Sequence, residues 1–284
     1  MHPEFSATNR PGRLLNFLRL LLAPFALGAT AVLGFAPFQF YFVPAVTLTA
    51  LLLLWLRCDT LRAAAMVGFA FGAGMFLAGV SWVYVSLHDY GGMDMPVAAL
   101  FTLLFCLVLA CFPALACAIA SRLRASTPVR LMLLFPALWA VFEWARSWVL
   151  SGFPWLAIGY SQVPSSPLAG YAPVLGVFGV SLITAAVAGA AASAIDGFLP
   201  GRSLQRPGKP VRGFIAGVCV AGTLVIAGAV LQTHQWTQPV PGESTRVTLL
   251  QGNIPQELKW RPERARATLQ TYLELARSSD SKLI

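Results

Sequence analysis

Long apolar runs occupy most of the first 236 residues and alternate with short polar connections. Seven of these runs are long enough to predict a helix that crosses a bilayer, which takes about 20 residues. The pattern therefore predicts a polytopic α-helical membrane protein, with seven transmembrane helices in a domain that covers residues 1–236. The predicted spans are approximately 14–35, 41–57, 63–87, 95–121, 129–150, 170–195 and 213–233.

The first apolar run allows a second interpretation. Ala29–Thr30–Ala31 has the small residues of a signal-peptidase site, so the run resembles a cleaved secretory signal as well as a membrane helix. The run is long for the apolar part of a signal peptide, and further spans follow at once. These two features favour a retained helix.

The pattern changes after Trp236. Residues 237–245 form a polar linker that contains proline and glycine. Residues 246–251 then predict a short buried strand, and residues 262–278 predict an amphipathic helix before a second strand begins. These elements predict the start of an α/β domain over 246–284. Because about 40 residues cannot bury a core of their own, we expect the sequence to be a fragment of a longer protein.

The composition supports a lipid environment for most of the chain. Hydrophobic residues make up 57% of the sequence and charged residues only 11%, whereas soluble proteins are about a quarter charged. The net charge of +9 would raise the question of nucleic acid in a soluble protein. Here the basic residues lie in short connections between apolar runs, so we expect no nucleic-acid partner.

The distribution of basic residues predicts the orientation of the helices. Positive charge concentrates in cytoplasmic loops of membrane proteins. One set of connections is rich in Arg and Lys, whereas Arg146 is the one basic residue on the other side before Val240. The N-terminus is therefore predicted to be cytoplasmic, and residues after about 236 are predicted to lie outside. The basic set comprises Arg10, Arg13, Arg19, Arg57, Arg62, Arg122, Arg124, Arg130, Arg202, Arg206, Lys209 and Arg212.

Small residues at four-residue spacing recur inside the predicted spans. Gly68 with Gly72 and Gly213 with Gly217 are examples. Such pairs let two membrane helices approach closely where no hydrophobic effect drives their association. They predict helix packing and need no functional explanation.

The five cysteines predict neither a disulfide framework nor a nucleophile. Cys58 falls in a short basic connection, and Cys106, Cys111, Cys117 and Cys219 fall in apolar runs. No two of them share a predicted external loop, where disulfides form. We interpret them as small apolar packing residues.

Aromatic and polar residues collect at the predicted outer ends of the third and fifth spans and in the loop after the fifth. Five of the eight tryptophans map to the outer side, whereas an ordinary aromatic belt lies at both interfaces. The asymmetry favours a lipid-facing site at the outer leaflet, without a metal or cofactor. The candidate substrate-binding residues are Trp82, Tyr84, His88, Glu143, Arg146, Trp148, Phe153 and Trp155.

The ionisable candidates each keep two interpretations. Glu143 and Arg146 are three residues apart on a predicted helix, so they can form an ion pair. Such residues near membrane depth are functional candidates, but an interfacial structural pair explains them equally well. His88 beside Asp89 has the chemistry of a general base, although a loop histidine more often has no catalytic role.

Several short motifs, in this order and spacing, resemble the apolipoprotein N-acyltransferase family. The likeness extends from about residue 14 to the end of the sequence. Each motif is short, and the combination carries the resemblance. The motifs are GFAPF at 34–38, GVSWVYVS at 79–86, EWAR at 143–146, GFPW at 152–155, GYSQ at 159–162, SPLAGY at 166–171, and QGNIPQ at 251–256 with Lys259 and Trp260.

The resemblance implies a bundle in the bacterial inner membrane and a periplasmic nitrilase-like α/β domain. It implies transfer of an acyl chain from a phospholipid donor, through a cysteine thioester, to the amino group of a diacylglyceryl apolipoprotein. The family's Glu–Lys–Cys triad matches no residue of this sequence, because the glutamate follows a strand that begins only at Leu283. We therefore expect no catalytic residue in this chain and no acyl transfer by the 284 residues alone.

Two other functions fit parts of the pattern. A transporter or channel would suit seven helices with glycine-broken segments, but no predicted span carries charge near its midplane. A membrane amidase or nitrilase would share the α/β domain, but it leaves the outer aromatic residues unexplained. Lipoproteins that lack an N-terminal acyl chain in a depleted strain would favour acyl transfer over transport. An assay of the full-length protein that compares its action on lipid with its hydrolysis of a soluble amide would distinguish an acyltransferase from an amidase.

Overall fold

The computed structural model describes residues 10–196, 210–242, 244–259 and 261–284. The basic connection predicted at 202–209 lies outside these residues. The described part is mostly helical, and the helix over residues 127–146 contains a π-helical stretch, Arg130–Leu134. The main helices are α1 (Arg10–Ala31), α2 (Phe42–Trp55), α3 (Leu61–Gly79), α4 (Met95–Arg122), α5 (Thr127–Arg146), α6 (Ala172–Asp196), α7 (Pro210–Gln232) and α8 (Ala265–Arg277).

The helices confirm a polytopic α-helical membrane protein. Five segments of the described chain are long and apolar enough to cross a bilayer. The apolar helical stretches in the first two predicted spans are shorter: Leu21–Gly34, which overlaps the end of α1, and Phe42–Trp55, which is α2. The count of seven crossings therefore stays a prediction. The five long segments are Leu61–Gly79, Met95–Arg122, Thr127–Arg146, Pro167–Asp196 and Gly213–Gln232.

Two predicted spans end earlier than their apolar pattern suggested. The third was predicted to reach residue 87, but α3 ends at Gly79 and short helical turns follow over 82–90. A Cβ atom on Gly79 would lie 2.6 Å from the Leu156 side chain, so the loop after α5 packs against this helix end. The fifth was predicted to reach residue 150, but α5 ends at Arg146. Hydropathy alone does not register these breaks, because the residues beyond them are also apolar or aromatic.

Three of the four small residues named from the sequence make close helix contacts, whereas a Cβ on Gly213 would lie at an ordinary 3.6 Å from the Ser193 carbonyl oxygen. Gly68 and Gly72 face α4, where a Cβ on Gly68 would lie 2.6 Å from the Pro113 carbonyl oxygen. Gly217 faces α6, where a Cβ would lie 2.4 Å from the Ala190 carbonyl oxygen. At both crossings the two backbones are too close for any side chain between them, which is the packing that small residues allow in membranes.

A column of aromatic rings runs through the core of the bundle. Trp55 packs on Phe135 with ring centroids 5.9 Å apart, and Phe135 packs on Trp139 at 5.7 Å. Phe71 meets Trp139 edge-on at 5.9 Å. The Trp55 indole N–H donates to the Cys117 carbonyl oxygen at 3.0 Å, which satisfies its polar atom inside the bundle. The column joins α2, α3 and α5 and leads to the residues described below.

The C-terminal residues form the parallel contact expected of a β-α-β start, but not a buried strand. Val247 and Leu283 form a single parallel bridge, with α8 between them in the sequence. The Thr248 N–H donates to the Leu283 carbonyl oxygen at 3.0 Å. Leu249 is 92% exposed, so the prediction that 246–251 is buried is wrong for the described residues. The apolar side chains of this segment have no sheet neighbour in the described part of the chain to cover them.

Candidate functional site

The loop of residues 147–162, which we call the α5–α6 loop, has an unusual backbone. Leu150, Ser151 and Leu156 adopt positive φ angles of 55°, 71° and 58°, and Gly152 has a φ of 83°. Left-handed geometry costs about 1–2 kcal/mol for each residue that carries a Cβ. Such a conformation persists only where surrounding contacts determine it. The loop must therefore be held by specific bonds to its neighbours.

Arg146, the last residue of α5, holds the middle of this loop. Its Nη1 atom donates to the carbonyl oxygens of Phe153 at 2.5 Å and Trp155 at 2.7 Å. The Phe153 N–H in turn donates to the Arg146 carbonyl oxygen at 2.8 Å. The guanidinium carbon lies 5.0 Å from the centroid of the Phe76 ring. Only 2% of Arg146 is exposed, so these contacts are shielded from water.

Glu143 holds the same loop one helical turn earlier. Its Oε1 atom accepts hydrogen bonds from the Trp139 indole N–H and the Ile158 backbone N–H, both at 2.9 Å. Only 6% of Glu143 is exposed, and its Oε2 atom makes no hydrogen bond to any described residue. Buried carboxylate oxygens are usually bonded. The Ser181 hydroxyl and the positive charge of Arg146 also lie close enough to stabilise this carboxylate.

Glu143 and Arg146 form no direct ion pair, although their opposite charges lie close enough to attract each other. No nitrogen–oxygen contact within 4.0 Å joins the two side chains, both of which lie in the described part of the chain. Each side chain instead bonds to the α5–α6 loop. A spacing of three residues permits pairing on an isolated helix. Here the returning loop offers backbone donors and acceptors that neither side chain finds on its own helix.

The far end of the loop is tied to two other elements. The Gly159 N–H donates to the Ser181 hydroxyl oxygen of α6 at 2.8 Å. The Gln162 side-chain amide donates to the Tyr41 carbonyl oxygen at 2.9 Å, which joins the loop to the connection between α1 and α2. Ser181 and Gln162 are both buried. The α5–α6 loop and the connection between α1 and α2 thus stabilise each other.

The loop places two of its aromatic side chains beside α3 and α4. Trp155 packs on Trp82 with ring centroids 5.3 Å apart, and Phe153 packs edge-on against Phe105 at 5.0 Å. Phe153 also approaches Trp82 at 6.4 Å. We call Trp82, Phe105, Phe153 and Trp155 the aromatic cluster. Trp82 is 43% exposed and Trp155 is 50% exposed, so the cluster reaches the surface of the bundle.

The loop also lies between two apolar clefts. The first cleft has a volume of about 460 Å³ and the second about 350 Å³, within the usual range for small-molecule sites. Residues 149–153 line the second cleft and residues 154–156 line the first, so the loop is the wall between them. Other lining residues are Val32, Phe35, Gly79 and Tyr160 in the first cleft, and Phe105, Val108, Phe112 and Arg146 in the second.

The remaining candidates from the sequence lie outside the aromatic cluster. Tyr84 and His88 pack together with ring centroids 5.4 Å apart. The His88 Nδ1 atom lies 2.7 Å from the Met93 carbonyl oxygen, and a carbonyl only accepts, so Nδ1 carries the hydrogen. Its Nε2 atom is 3.9 Å from the Asp89 carboxylate. Trp148 packs on Trp144, four residues earlier, with ring centroids 5.3 Å apart.

The cysteines divide between the interior and the surface of the bundle. All five are free thiols. Cys106 and Cys117 are buried as predicted, but Cys111 and Cys219 are exposed on α4 and α7. Burial, with a smaller contribution from the neighbouring aspartate, raises the pKa of the Cys58 thiol above its ordinary value. A thiol with a raised pKa stays protonated, which makes Cys58 a poor nucleophile at neutral pH.

The sequence pattern missed three side chains of this arrangement. Phe105 and Ser181 lie within long apolar runs, where one aromatic ring or hydroxyl carries no signal of its own. Trp139 precedes Glu143 by four residues and therefore lies on the same helix face. That spacing was a usable signal. Phe105 and Ser181 could be identified as part of the site only from the tertiary structure.

Comparison with known proteins relates the chain to one family. A sequence model described as the apolipoprotein N-acyltransferase N-terminal domain matches residues 27–190, which include both clefts and the α5–α6 loop. An apolipoprotein N-acyltransferase of Nitrosomonas europaea is 48% identical over 266 residues, which cover 93% of this chain and 50% of that protein.

Two further relatives carry the same name and similar coverage. The Methylococcus capsulatus protein is 44% identical over 93% of this chain and 48% of its own length. The Chromobacterium violaceum protein is 40% identical over 91% of this chain and 47% of its own length. The chain thus spans about half the length of the curated relatives it matches. Because the family match covers more than half of the sequence, the chain belongs to the apolipoprotein N-acyltransferase family.

Proposed function

We propose that the chain forms the lipid-binding membrane part of an enzyme that N-acylates apolipoproteins in the bacterial inner membrane. The donor is a phospholipid, and the acceptor is the amino group of an N-terminal diacylglyceryl-cysteine. One observation carries this proposal: the family match contains the aromatic cluster, the α5–α6 loop and both clefts. The relatives named after this reaction support it.

The role of this chain in the proposed reaction is to hold acyl chains. Acyl transfer from a phospholipid requires the ester, which lies at the membrane interface, to reach a nucleophile while its acyl chain stays covered. Apolar clefts at the end of the bundle accept the chains without exposing them to water. Tryptophan rings suit this position, because one end of the ring system is apolar and the other tolerates water. We assign the acyl-carrying cysteine, the general base and the oxyanion-stabilising lysine to no residue of this chain.

The proposed function also requires an orientation. Seven crossings with the N-terminus in the cytoplasm deliver residues after about 236 to the periplasm, where a nitrilase-like domain begins. Reporter fusions test this directly. A fusion at Ser244 should give active alkaline phosphatase, and a fusion at Asp59 should give none. A cytoplasmic signal at Ser244 would contradict both the orientation and periplasmic lipid chemistry.

A chimera tests the activity. The 266 aligned residues of this chain replace the matching part of the Nitrosomonas europaea relative. The chimera should restore growth and N-acylated lipoproteins, identified by mass spectrometry, in a strain depleted of its own enzyme. A stably inserted chimera that yields only unacylated lipoproteins would disprove the proposal.

A single substitution in this chimera tests the site. Trp155→Ala should lower the rate of acylation about tenfold or more, because aromatic side chains that a bound partner covers contribute about 2 kcal/mol or more to binding. The matched control is Phe214→Ala on α7, an aromatic residue that is 43% exposed and lines neither cleft. It should leave acylation unchanged.

A further inference from the structure

We propose that Glu143 and Arg146 are positioning residues, which act on lipid substrates through the α5–α6 loop rather than by touching them. The inference rests on the proposed function. It replaces the expectation from the sequence that both side chains bind substrate. The loop carries Phe153 and Trp155 between the two clefts, so its position sets the shape of both.

The burial of the two side chains argues against direct contact with substrate. Only 6% of Glu143 and 2% of Arg146 are exposed, although Arg146 forms part of the wall of the second cleft. A charge is buried only where polar partners replace its water. For both residues those partners include the backbone of the loop. A change at either position therefore reaches the clefts through the loop.

The hydrogen bonds from Arg146 lie on either side of a proline in the α5–α6 loop. Pro154 has no N–H, so this residue donates no backbone bond that could hold the loop. Arg146 binds the carbonyl oxygens of Phe153 and Trp155, one on each side of this proline. A single nitrogen, Nη1, makes both bonds. The guanidinium thus fixes the orientation of the two peptide groups that carry the aromatic side chains.

Glu143 holds the loop on the C-terminal side of Leu156, the residue with left-handed backbone geometry. Leu156 has a φ of 58°, and it lies between the Trp155 carbonyl held by Arg146 and the Ile158 N–H held by Glu143. Left-handed geometry in leucine is unfavourable without support from both sides. The two buried charges therefore act as a two-point clamp on 155–158. Because Leu156 also packs on Gly79, this clamp positions the wall of the first cleft.

The clamp predicts that polar replacements of Glu143 and Arg146 disturb the loop less than apolar replacements. Glu143 accepts two hydrogen bonds through Oε1, and the side-chain oxygen of glutamine can accept the same two, but glutamine lacks the negative charge that lies near Arg146. Glu143→Gln should therefore fall between the parent and Glu143→Leu, which loses both the bonds and the charge. A lysine ammonium carries three N–H groups on one nitrogen, so Arg146→Lys should partly replace Nη1. Arg146→Met keeps the apolar length of the side chain and removes both bonds.

Hydrogen exchange measured by mass spectrometry on the chain in lipid nanodiscs tests the clamp without enzyme activity. Glu143→Leu and Arg146→Met should each raise amide exchange within 147–162 about tenfold or more, because hydrogen bonds to charged groups are the strong ones. Glu143→Gln should raise exchange clearly less than Glu143→Leu, because glutamine keeps both hydrogen bonds made by Oε1. The control is Val141→Ala, a surface residue of the same helix that is 51% exposed. Unchanged exchange in the Leu and Met variants would disprove the clamp.

Kinetics of the same variants in the chimera test whether the clamp serves the reaction. Glu143→Leu and Arg146→Met should raise KM for phospholipid about tenfold, with a smaller change in kcat, because the loop contacts chains and not reacting atoms. Glu143→Gln should raise KM less than Glu143→Leu does. Loosened loops with unchanged KM would disprove the positioning role and leave the proposed function intact. An inactive parent chimera would instead contradict the proposed function, and the exchange experiment would still decide the clamp.

Discussion

Replacement of Gly74 by alanine should separate α1 from α3 and lower the free energy of unfolding by about 3 kcal/mol. A Cβ atom on Gly74 would lie 2.0 Å from the Phe25 carbonyl oxygen, and a Cβ on Gly28 would lie 1.9 Å from the Phe71 carbonyl oxygen. The two helices thus cross backbone to backbone at two reciprocal contacts. Backbone atoms cannot rotate away as a side chain does, so even one methyl group must move a whole helix.

Reversible unfolding of the purified chain in mixed detergent micelles measures this effect. Gly222→Ala on α7 is the matched control, because its Cβ would meet no atom within 4 Å. It should be neutral or slightly stabilising, since alanine favours helix over glycine. The double variant Gly28→Ala with Gly74→Ala should cost clearly less than the sum of the two, because the first methyl already separates the helices. Additive or small effects would contradict this crossing.

Replacement of Gly152 by alanine should disrupt the α5–α6 loop and cost about 4 kcal/mol. Gly152 has a φ of 83°, where residues with a Cβ are strained. A Cβ there would also lie 2.0 Å from the Ser147 carbonyl oxygen, within the turn that begins the loop. The loop must then shift away from α5, and the bonds between Arg146 and Phe153 lengthen or break.

Gly92→Ala separates the two causes of this effect. Gly92 has a φ of 67°, but a Cβ there would meet no atom within 4 Å. It should therefore cost only about 1 kcal/mol, from backbone strain alone. Unfolding in detergent gives both free energies, and limited proteolysis should cut within 147–162 in Gly152→Ala but not in Gly92→Ala. Equal losses in the two variants would show that the clash with Ser147 does not matter.

The candidates named from the sequence illustrate how far local pattern reaches. Trp82, Phe153 and Trp155 are selected by their position at one end of the bundle, and the structure brings all three together. Phe105 completes the cluster, yet its sequence environment resembles any other lipid-facing turn of α4. His88 is placed in its own local turn, where it bonds to the Met93 carbonyl.

The amino-acid sequence by itself determined that the chain is a bundle of apolar helices, and it identified some of the glycines at which those helices meet. Hydropathy and small-residue spacing are local properties, so α4 was predicted within one residue at each end, and Gly68 and Gly72 were placed on a packing face.

Only the tertiary structure decided the role of Glu143 and Arg146. Their spacing of three predicts a pair, but the α5–α6 loop returns over them and takes their hydrogen bonds. The same return ends α3 at Gly79 and divides the two clefts. The physical reason is that a buried charge bonds to whichever polar group reaches it, and that group is set by the path of the chain rather than by neighbours in sequence.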